Sequence, residues 1–175
     1  EKVVLSRRKA YHRSRVQPWE AFERLAEAYP HATVFLIQTP GGSLWMGATP
    51  ECLTEVQGAK VRTMSLAGTR LRGSQGAWGL KEREEQHVVT KDIVQMLQAL
   101  GVDQVQVEGP SVLEAGPVEH LCSHIEGRSA GLSAWDIAGA LHPTPAVGGL
   151  PRAQAQAFIR RHEGYDRRNY AGYFG

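Results

Sequence analysis

Apolar residues recur at intervals of three and four along much of the chain, a spacing that is typical of amphipathic helices. In the longest such stretch, Val89, Ile93 and Met96 share one stripe. Pro151 has the position of a first helical residue, and Ser133 that of an N-terminal cap. These signals predict helices over 18–28, 81–100, 134–141 and 152–161.

Short runs of β-branched and other apolar residues between the helical stretches predict strands. The runs cover 2–6, 32–37, 43–47, 53–56, 60–66, 104–107 and 118–125. Pro40-Gly41-Gly42 separates one neighbouring pair and Gly58 another, as in β-hairpins. The glycine-bounded segment 67–73 is predicted to be a loop with exposed amides. Tight turns between neighbouring strands favour an antiparallel α+β fold over a doubly wound sheet.

Composition narrows the class of protein without naming a function. The chain has 175 residues, 42% of them apolar, which is enough for one hydrophobic core and one domain. The formal net charge is +2 and no basic stripe is present, which argues against a nucleic-acid-binding function. No apolar run is long enough for a membrane span. Two cysteines and no export signal favour the cytoplasm. No obligatory protein partner is evident, and the missing initiator methionine suggests that residues 1–175 are a partial domain.

The segment 141–151 is rich in proline and glycine, and its chemistry suits the wall of a site better than a core strand. Pro143 and Pro145 restrict the backbone. Gly148 and Gly149 leave amides that a ligand can approach closely. Because the segment leads into a predicted helix, whose N-terminus attracts anions, a small anionic substrate is a candidate ligand.

Charged residues at two positions admit opposing interpretations. Glu85 continues the apolar stripe of the longest predicted helix and Glu82 lies beside it, whereas Glu84 points elsewhere. A carboxylate on a buried stripe needs a cation or an ion pair. Alternatively, the first helical turn projects into water, where acidic residues interact favourably with the helix dipole. Lys2, at the edge of a predicted strand, is either a solvated residue or a functional one.

Alternation along the predicted strand 118–125 puts His120, Cys122 and His124 on one face. Histidine and cysteine are zinc ligands, but no fourth ligand is apparent. Chance alternation is therefore the preferred interpretation of this pattern.

Several separated motifs follow one another along the chain. They are Lys2-Val3-Val4-Leu5-Ser6-Arg7, Thr49-Pro50-Glu51, Leu66-Ala67-Gly68-Thr69-Arg70, Lys81-Glu82-Arg83-Glu84-Glu85-Gln86, His142-Pro143-Thr144-Pro145-Ala146-Val147-Gly148-Gly149 and Asn169-Tyr170-Ala171-Gly172. In this order they resemble the chorismate-binding enzymes and, within that family, the isochorismate synthases. The resemblance implies an α+β fold like that of anthranilate synthase component I, with antiparallel sheets sandwiched between helices and the site in a cleft.

The same resemblance implies a Mg²⁺-dependent conversion of chorismate into isochorismate, in which water adds at C2 and the C4 hydroxyl departs. It assigns Lys2 as the general base that activates water, and Glu51 as the acid that protonates the departing hydroxyl. Glu85 is assigned as a Mg²⁺ ligand, with Glu82 close behind it.

Four further residues are assigned to substrate binding on the same grounds. Gly68 and Thr69 resemble positions whose backbone receives a substrate carboxylate. His142 and Tyr170 resemble positions of the substrate pocket. The product would supply menaquinone or a siderophore.

Two residues distinguish branches of the family. Amine-forming relatives, which make anthranilate or aminodeoxychorismate, generally lack a lysine at the position of Lys2. Ala67 stands where aminodeoxychorismate synthases carry a nucleophilic lysine. Salicylate synthases share the base lysine and are the alternative. In the family a substrate-binding arginine and a second metal-binding glutamate follow the position of Gly175, so a noncatalytic fragment is a further hypothesis for the chain as it stands.

Overall fold

The computed structural model describes residues 1–11 and 17–175, which contain four helices and eight strands. The helices are α1 (Pro18–Ala28), α2 (Leu80–Ala99), α3 (Ala134–Leu141) and α4 (Arg152–His162). The strands are β1 (Lys2–Val3), β2 (Thr33–Gln38), β3 (Leu44–Thr49), β4 (Glu55–Gln57), β5 (Lys60–Leu71), β6 (Asp103–Ala115), β7 (Val118–Arg128) and β8 (Gly149–Leu150).

Strands β4 to β7 form the main sheet in the order β4-β5-β7-β6, and every pair in it is antiparallel. β5 continues to Leu71, so the loop predicted over 67–73 is wrong for most of its length. The reason is Gly68, which has a φ of +73° and forms a bulge in the pairing with β7. Glycine often marks a turn, but it also adopts this conformation within a strand without strain.

Helix α2 packs on the main sheet and supplies much of the core. Val89, Ile93 and Leu97 have no exposed surface and pack in one cluster with Ile125 of β7. Leu97 is buried at the position that was predicted for Met96. The reason is that α2 contacts the sheet through residues spaced four apart, Val89, Ile93 and Leu97.

Two separate antiparallel pairs complete the strands. β2 and β3 form the hairpin that was predicted around residues 40–42. β1 pairs with β8 through Lys2 opposite Leu150 and Val3 opposite Gly149.

The strand predicted over 2–6 is therefore shorter than expected, and it is not a buried strand. Val3 is 40% exposed and Leu5 is 49% exposed. Pairing ends because the chain turns away from β1 at residues 145–147, just before β8 begins. The predicted strand over residues 2–6 is therefore limited to the two residues that pair with β8.

Local signals predicted the helices well. α1 has the predicted limits, and α3 begins with a capping box in which Ser133 Oγ accepts the Asp136 N–H while the Asp136 carboxylate accepts the Ser133 N–H. The expected α+β class with antiparallel sheets is confirmed. Among the residues described, no helix has the length and apolar character needed to cross a bilayer.

Candidate active site

The ammonium group of Lys2 meets a carboxylate of α2. Lys2 Nζ lies 3.2 Å from Glu85 Oε1, and the two side chains are 12% and 32% exposed. The pairing of β1 with Leu150 holds the backbone of Lys2 at this place. Interpreting Lys2 as a solvated strand-end residue is therefore wrong. A carboxylate on an apolar stripe needs a positively charged partner, and Lys2 is that partner for Glu85.

Gly68 packs against the same end of α2, one helical turn before Glu85. A Cβ atom on Gly68 would lie 3.1 Å from the carbonyl oxygen of Glu82 and 3.2 Å from its Cβ. Both this close approach and the positive φ require glycine. The bulge of β5 and the strand that carries Lys2 therefore converge on the first two turns of α2, whereas Glu84 is exposed.

Thr69 and His120 face each other across the β5–β7 pair, with Thr69 Oγ1 2.9 Å from His120 Nδ1. Burial lowers the pKa of His120, and a hydrogen bond with the backbone of Gly68 acts in the opposite direction. His120 thus contacts both residues that were expected to receive a substrate carboxylate. Alternation placed His120 on one face with Cys122 and His124, but it did not predict the contact with Thr69, because that contact depends on strand register.

Glu51 follows β3, and its side chain is only partly exposed. No ion pair involves Glu51 within residues 1–11 and 17–175, and burial raises the pKa of its carboxyl to about 7. Its charge also helps to raise the pKa of the nearby Cys122 thiol to about 11, although burial of the thiol is the larger cause. A carboxyl with a pKa of about 7 holds its proton in about half of the molecules at pH 7 and can donate it.

The predicted acid and base occupy different surroundings. Lys2 is engaged with Glu85, whereas Glu51 lies close to Cys122 of β7. Cys122 shares a strand face with His120, the partner of Thr69. Glu51 is thus associated with the main sheet, and Lys2 with the end of α2.

His142 and Tyr170 line a single cavity of about 250 Å³. Gly148 and Arg167 also form part of its wall. Burial lowers the pKa of the His142 imidazole, and the charge of Arg152 lowers it further. The two residues expected in the substrate pocket are therefore brought together. Gly148 links their cavity to the Lys2 strand, since its carbonyl oxygen accepts the Val4 N–H at 2.9 Å.

The residues described here do not form a Mg²⁺ site by themselves. Within the described ranges, no group of three or more histidine, cysteine, aspartate or glutamate side chains could hold a metal ion. Glu85 is paired with Lys2. The carboxylate of Glu82 turns toward Gly79, where a Cβ atom would lie 2.5 Å from its Oε2. Magnesium requires near-octahedral oxygen ligation, to which this arrangement offers at most one free carboxylate oxygen of Glu85 and the side chain of Glu82.

Comparison with known families decides the class of protein. The family model described as "Chorismate binding enzyme" matches residues 1–175. The chain belongs to the chorismate binding enzyme family. This membership confirms the resemblance drawn from the separated motifs, while the roles of single residues stay predictions.

Relatives of this chain include isochorismate synthases. The salicylate biosynthesis isochorismate synthase of Pseudomonas aeruginosa is 33% identical over 185 residues, which is 99% of this chain and 39% of that protein. Isochorismate synthase MenF of Pasteurella multocida is 31% identical over 188 residues, covering 99% and 43%. The chain therefore spans about two fifths of the length of these curated relatives.

A solved structure supports the same fold for this chain. The Bacillus anthracis protein DhbC, assigned as a 2,3-dihydroxybenzoate-specific isochorismate synthase, is similar with a TM-score of 0.76 and 29% identity. The match covers 83% of this chain and 43% of that one.

Substitution of Gly149 tests the packing that holds Lys2. A Cβ atom at Gly149, whose φ is +139°, would lie 2.2 Å from the carbonyl oxygen of Lys2. We expect Gly149→Ala to lower the free energy of unfolding by about 2 to 4 kcal/mol and to detach β1. Gly148→Ala is the matched control, since its Cβ would meet nothing closer than 3.5 Å. Urea denaturation measures both, and equal losses for the two variants would contradict the expectation.

Glu51→Gln tests the burial of the predicted acid through the pH dependence of stability. In the folded protein the Glu51 pKa is about 7, against an ordinary value of 4.5. The unfolded chain therefore loses this proton first, and stability falls as pH rises from 4.5 through 7. We expect the stability of Glu51→Gln relative to wild type to rise by about 3 kcal/mol between pH 4 and pH 8. Urea denaturation at several pH values checks this, with exposed Glu84→Gln as control; no trend for Glu51→Gln would contradict it.

Proposed function

We propose that the protein to which this chain belongs is an isochorismate synthase, converting chorismate into isochorismate. Its similarity to isochorismate synthases extends over nearly the whole chain. The observation that carries the proposal is the meeting of Lys2 with Glu85 in a largely buried ion pair. These are the residues to which the family resemblance assigns water activation and metal binding, and they come from distant parts of the chain.

The proposed reaction exchanges one water for another. Lys2 accepts a proton from water, whose oxygen forms a bond to C2 of the ring. The ring double bonds shift, the C4–oxygen bond breaks, and Glu51 donates its proton so that the C4 oxygen leaves as water. Glu51 suits this role because its pKa of about 7 leaves a large share of its carboxyl groups protonated near neutral pH.

The ion pair sets a condition on this reaction. While Lys2 is paired with Glu85, with its Nζ 3.2 Å from Oε1, the ammonium group has no lone pair free to take a proton from water. Lys2 therefore acts as a base only after the pair has opened. We propose that substrate binding separates the two side chains.

The dicarboxylate substrate requires groups that bind anions. We propose that the backbone at Gly68 and Thr69 receives one carboxylate, beside the Thr69–His120 hydrogen bond. His142 and Tyr170 are proposed to contact the substrate from the cavity that they line.

The choice of branch depends on Lys2 and Ala67. Relatives that use ammonia generally lack the lysine, and aminodeoxychorismate synthases carry a lysine where this chain has Ala67. Isochorismate formation is therefore favoured over amine formation, with a menaquinone or siderophore pathway as its destination. A cytoplasmic location is part of the proposal, in keeping with the free cysteines Cys52 and Cys122.

Product analysis of the whole protein tests the activity. We expect chorismate, supplied with Mg²⁺, to give isochorismate on chromatography, and Lys2→Met to lower kcat by about 10²- to 10⁴-fold because water loses its base. Lys91→Met is the matched control, since Lys91 is an exposed lysine on α2.

Anthranilate formed from ammonia would reject the proposal, and salicylate would favour the alternative branch. Turnover by residues 1–175 alone would exclude the noncatalytic-fragment hypothesis.

The proposal includes a Mg²⁺ requirement, with Glu85 as one ligand. A hard cation takes several oxygen ligands, so further ligands beyond those described are needed. We expect EDTA to abolish the activity of the whole protein and Mg²⁺ to restore it. Activity that persists after complete removal of divalent cations would show that the requirement is wrong.

A further inference from the structure

The strand that carries Lys2 is too short to hold its own position. β1 has two residues, and only Lys2 and Val3 pair with β8. Isolated two-residue pairings are weak. A slip of one residue would turn Lys2 to the opposite face, away from Glu85. Contacts other than the strand ladder must therefore keep Lys2 in register.

Arg167 supplies such contacts on both sides of the pair. Its Nη2 donates to the carbonyl oxygen of Val4 at 2.7 Å, and its Nη1 donates to the carbonyl oxygen of Val147 at 2.8 Å. Val4 directly follows β1, and Val147 lies two residues before β8. One guanidinium group thus bridges the backbones of the two segments at the end of their pairing.

Glu163 holds this guanidinium in place. Its carboxylate, only 1% exposed, forms an ion pair with Arg167 and accepts from Arg167 Nε at 2.8 Å. The same carboxylate accepts the Ser6 N–H at 2.6 Å and the Ser6 hydroxyl at 2.9 Å. Glu163 therefore joins α4 to the residues that follow β1, and it orients the arginine through two parallel contacts.

Arg167 also orders the turn that presents Tyr170. The Tyr170 N–H donates to the Arg167 carbonyl oxygen at 2.9 Å, and the guanidinium lies 5.9 Å from the centre of the Tyr170 ring. A single residue therefore contacts the strand of Lys2, the segment before β8 and the turn of Tyr170.

We propose that Arg167, oriented by Glu163, is a positioning residue that sets the register of Lys2 for its reaction. This Arg167 clamp, meaning Arg167 together with Glu163, rests on the proposed function for its catalytic consequence. Its structural part, the fixing of β1, does not.

Geometry favours positioning over general stabilisation. A buried ion pair contributes little net stability compared with apolar packing. The guanidinium of Arg167 makes four donations from three nitrogens spread over one plane, whereas the ammonium of a lysine offers three donors from a single nitrogen. The ion pair of Arg152 with Asp92, 24% and 12% exposed, provides a comparison, because the side-chain hydrogen bonds of Arg152 join α4 to α2 and α3.

The experiment compares Arg167→Met and Glu163→Gln with Asp92→Asn in the whole protein. Asp92→Asn is the control. Like Glu163→Gln, it removes the charge of a largely buried carboxylate that pairs with an arginine, in this case Arg152 of α4. We expect Arg167→Met to lower kcat by about 10- to 100-fold, with KM for chorismate changed by less than about threefold. Amide hydrogen exchange across residues 2–6 should accelerate by about tenfold. Glu163→Gln should act in the same direction, and Asp92→Asn should change neither kcat nor exchange in this segment.

Arg167→Lys separates charge from geometry. It keeps the positive charge but loses the fork, so we expect it to restore less than half of the kcat lost in Arg167→Met. Full recovery by lysine would overturn the clamp. If Arg167→Met does not fold, Arg167→Lys and Glu163→Gln give the same comparison with Asp92→Asn.

The outcomes distinguish the clamp from the proposed function. Unchanged exchange across residues 2–6 overturns the clamp whatever the activity. Faster exchange with unchanged kcat overturns the positioning of Lys2, as does an equal loss of kcat in Asp92→Asn. If the wild-type protein does not convert chorismate, the proposed function fails, while faster exchange in Arg167→Met still supports the fixing of β1.

Discussion

The rest of the site depends on the packing of α2 against the main sheet. Gln86, 2% exposed, places its amide between helix and sheet and donates to the Ser65 carbonyl oxygen at 3.1 Å and to Ser123 Oγ at 3.2 Å. A buried amide that loses its partners is costly, so the helix can neither rotate nor slide freely on the apolar surface beside it. Glu85 is the neighbouring residue, and its direction follows from this seating.

Around that fixed helix end, the site is assembled from short and irregular pieces. A two-residue strand brings Lys2, and a bulge at Gly68 brings the backbone that was expected to bind a carboxylate. The bulge lies within the long pairing of β5 with β7, but the strand of Lys2 has no long ladder of hydrogen bonds to hold it where it meets α2. Side chains do this work instead, most clearly Arg167, whose guanidinium reaches Val4 across 163 residues of sequence.

Two glutamates show how surroundings give one residue type opposite properties. Burial without a cation raises the pKa of Glu51 to about 7, so this carboxyl can hold a proton. Hydrogen bonds from Arg167 and Ser6 lower the pKa of Glu163 to about 2, so this carboxylate stays charged and keeps its partners. Proton transfer and rigid positioning are thereby separated between two acids.

Much of the local structure was predictable from the sequence, because its signals lie within a few residues of one another. The limits of α1, the cap of α3 at Ser133 and the hairpin of β2 and β3 follow from periodicity, capping and turn chemistry. The separated motifs likewise identified the family, since they are short and depend on residue order alone.

Long-range contacts lay beyond such signals. Gly68 continues a strand where a loop was predicted, because pairing with β7 outweighs the tendency of glycine to turn. The register that joins Thr69 to His120, the pairing of Lys2 with Glu85 and the reach of Arg167 each require segments remote in sequence to meet. The sequence alone determined which chemical groups are available to the candidate site. Packing determined which of them touch, because those contacts exist only once the sheet and α2 have come together.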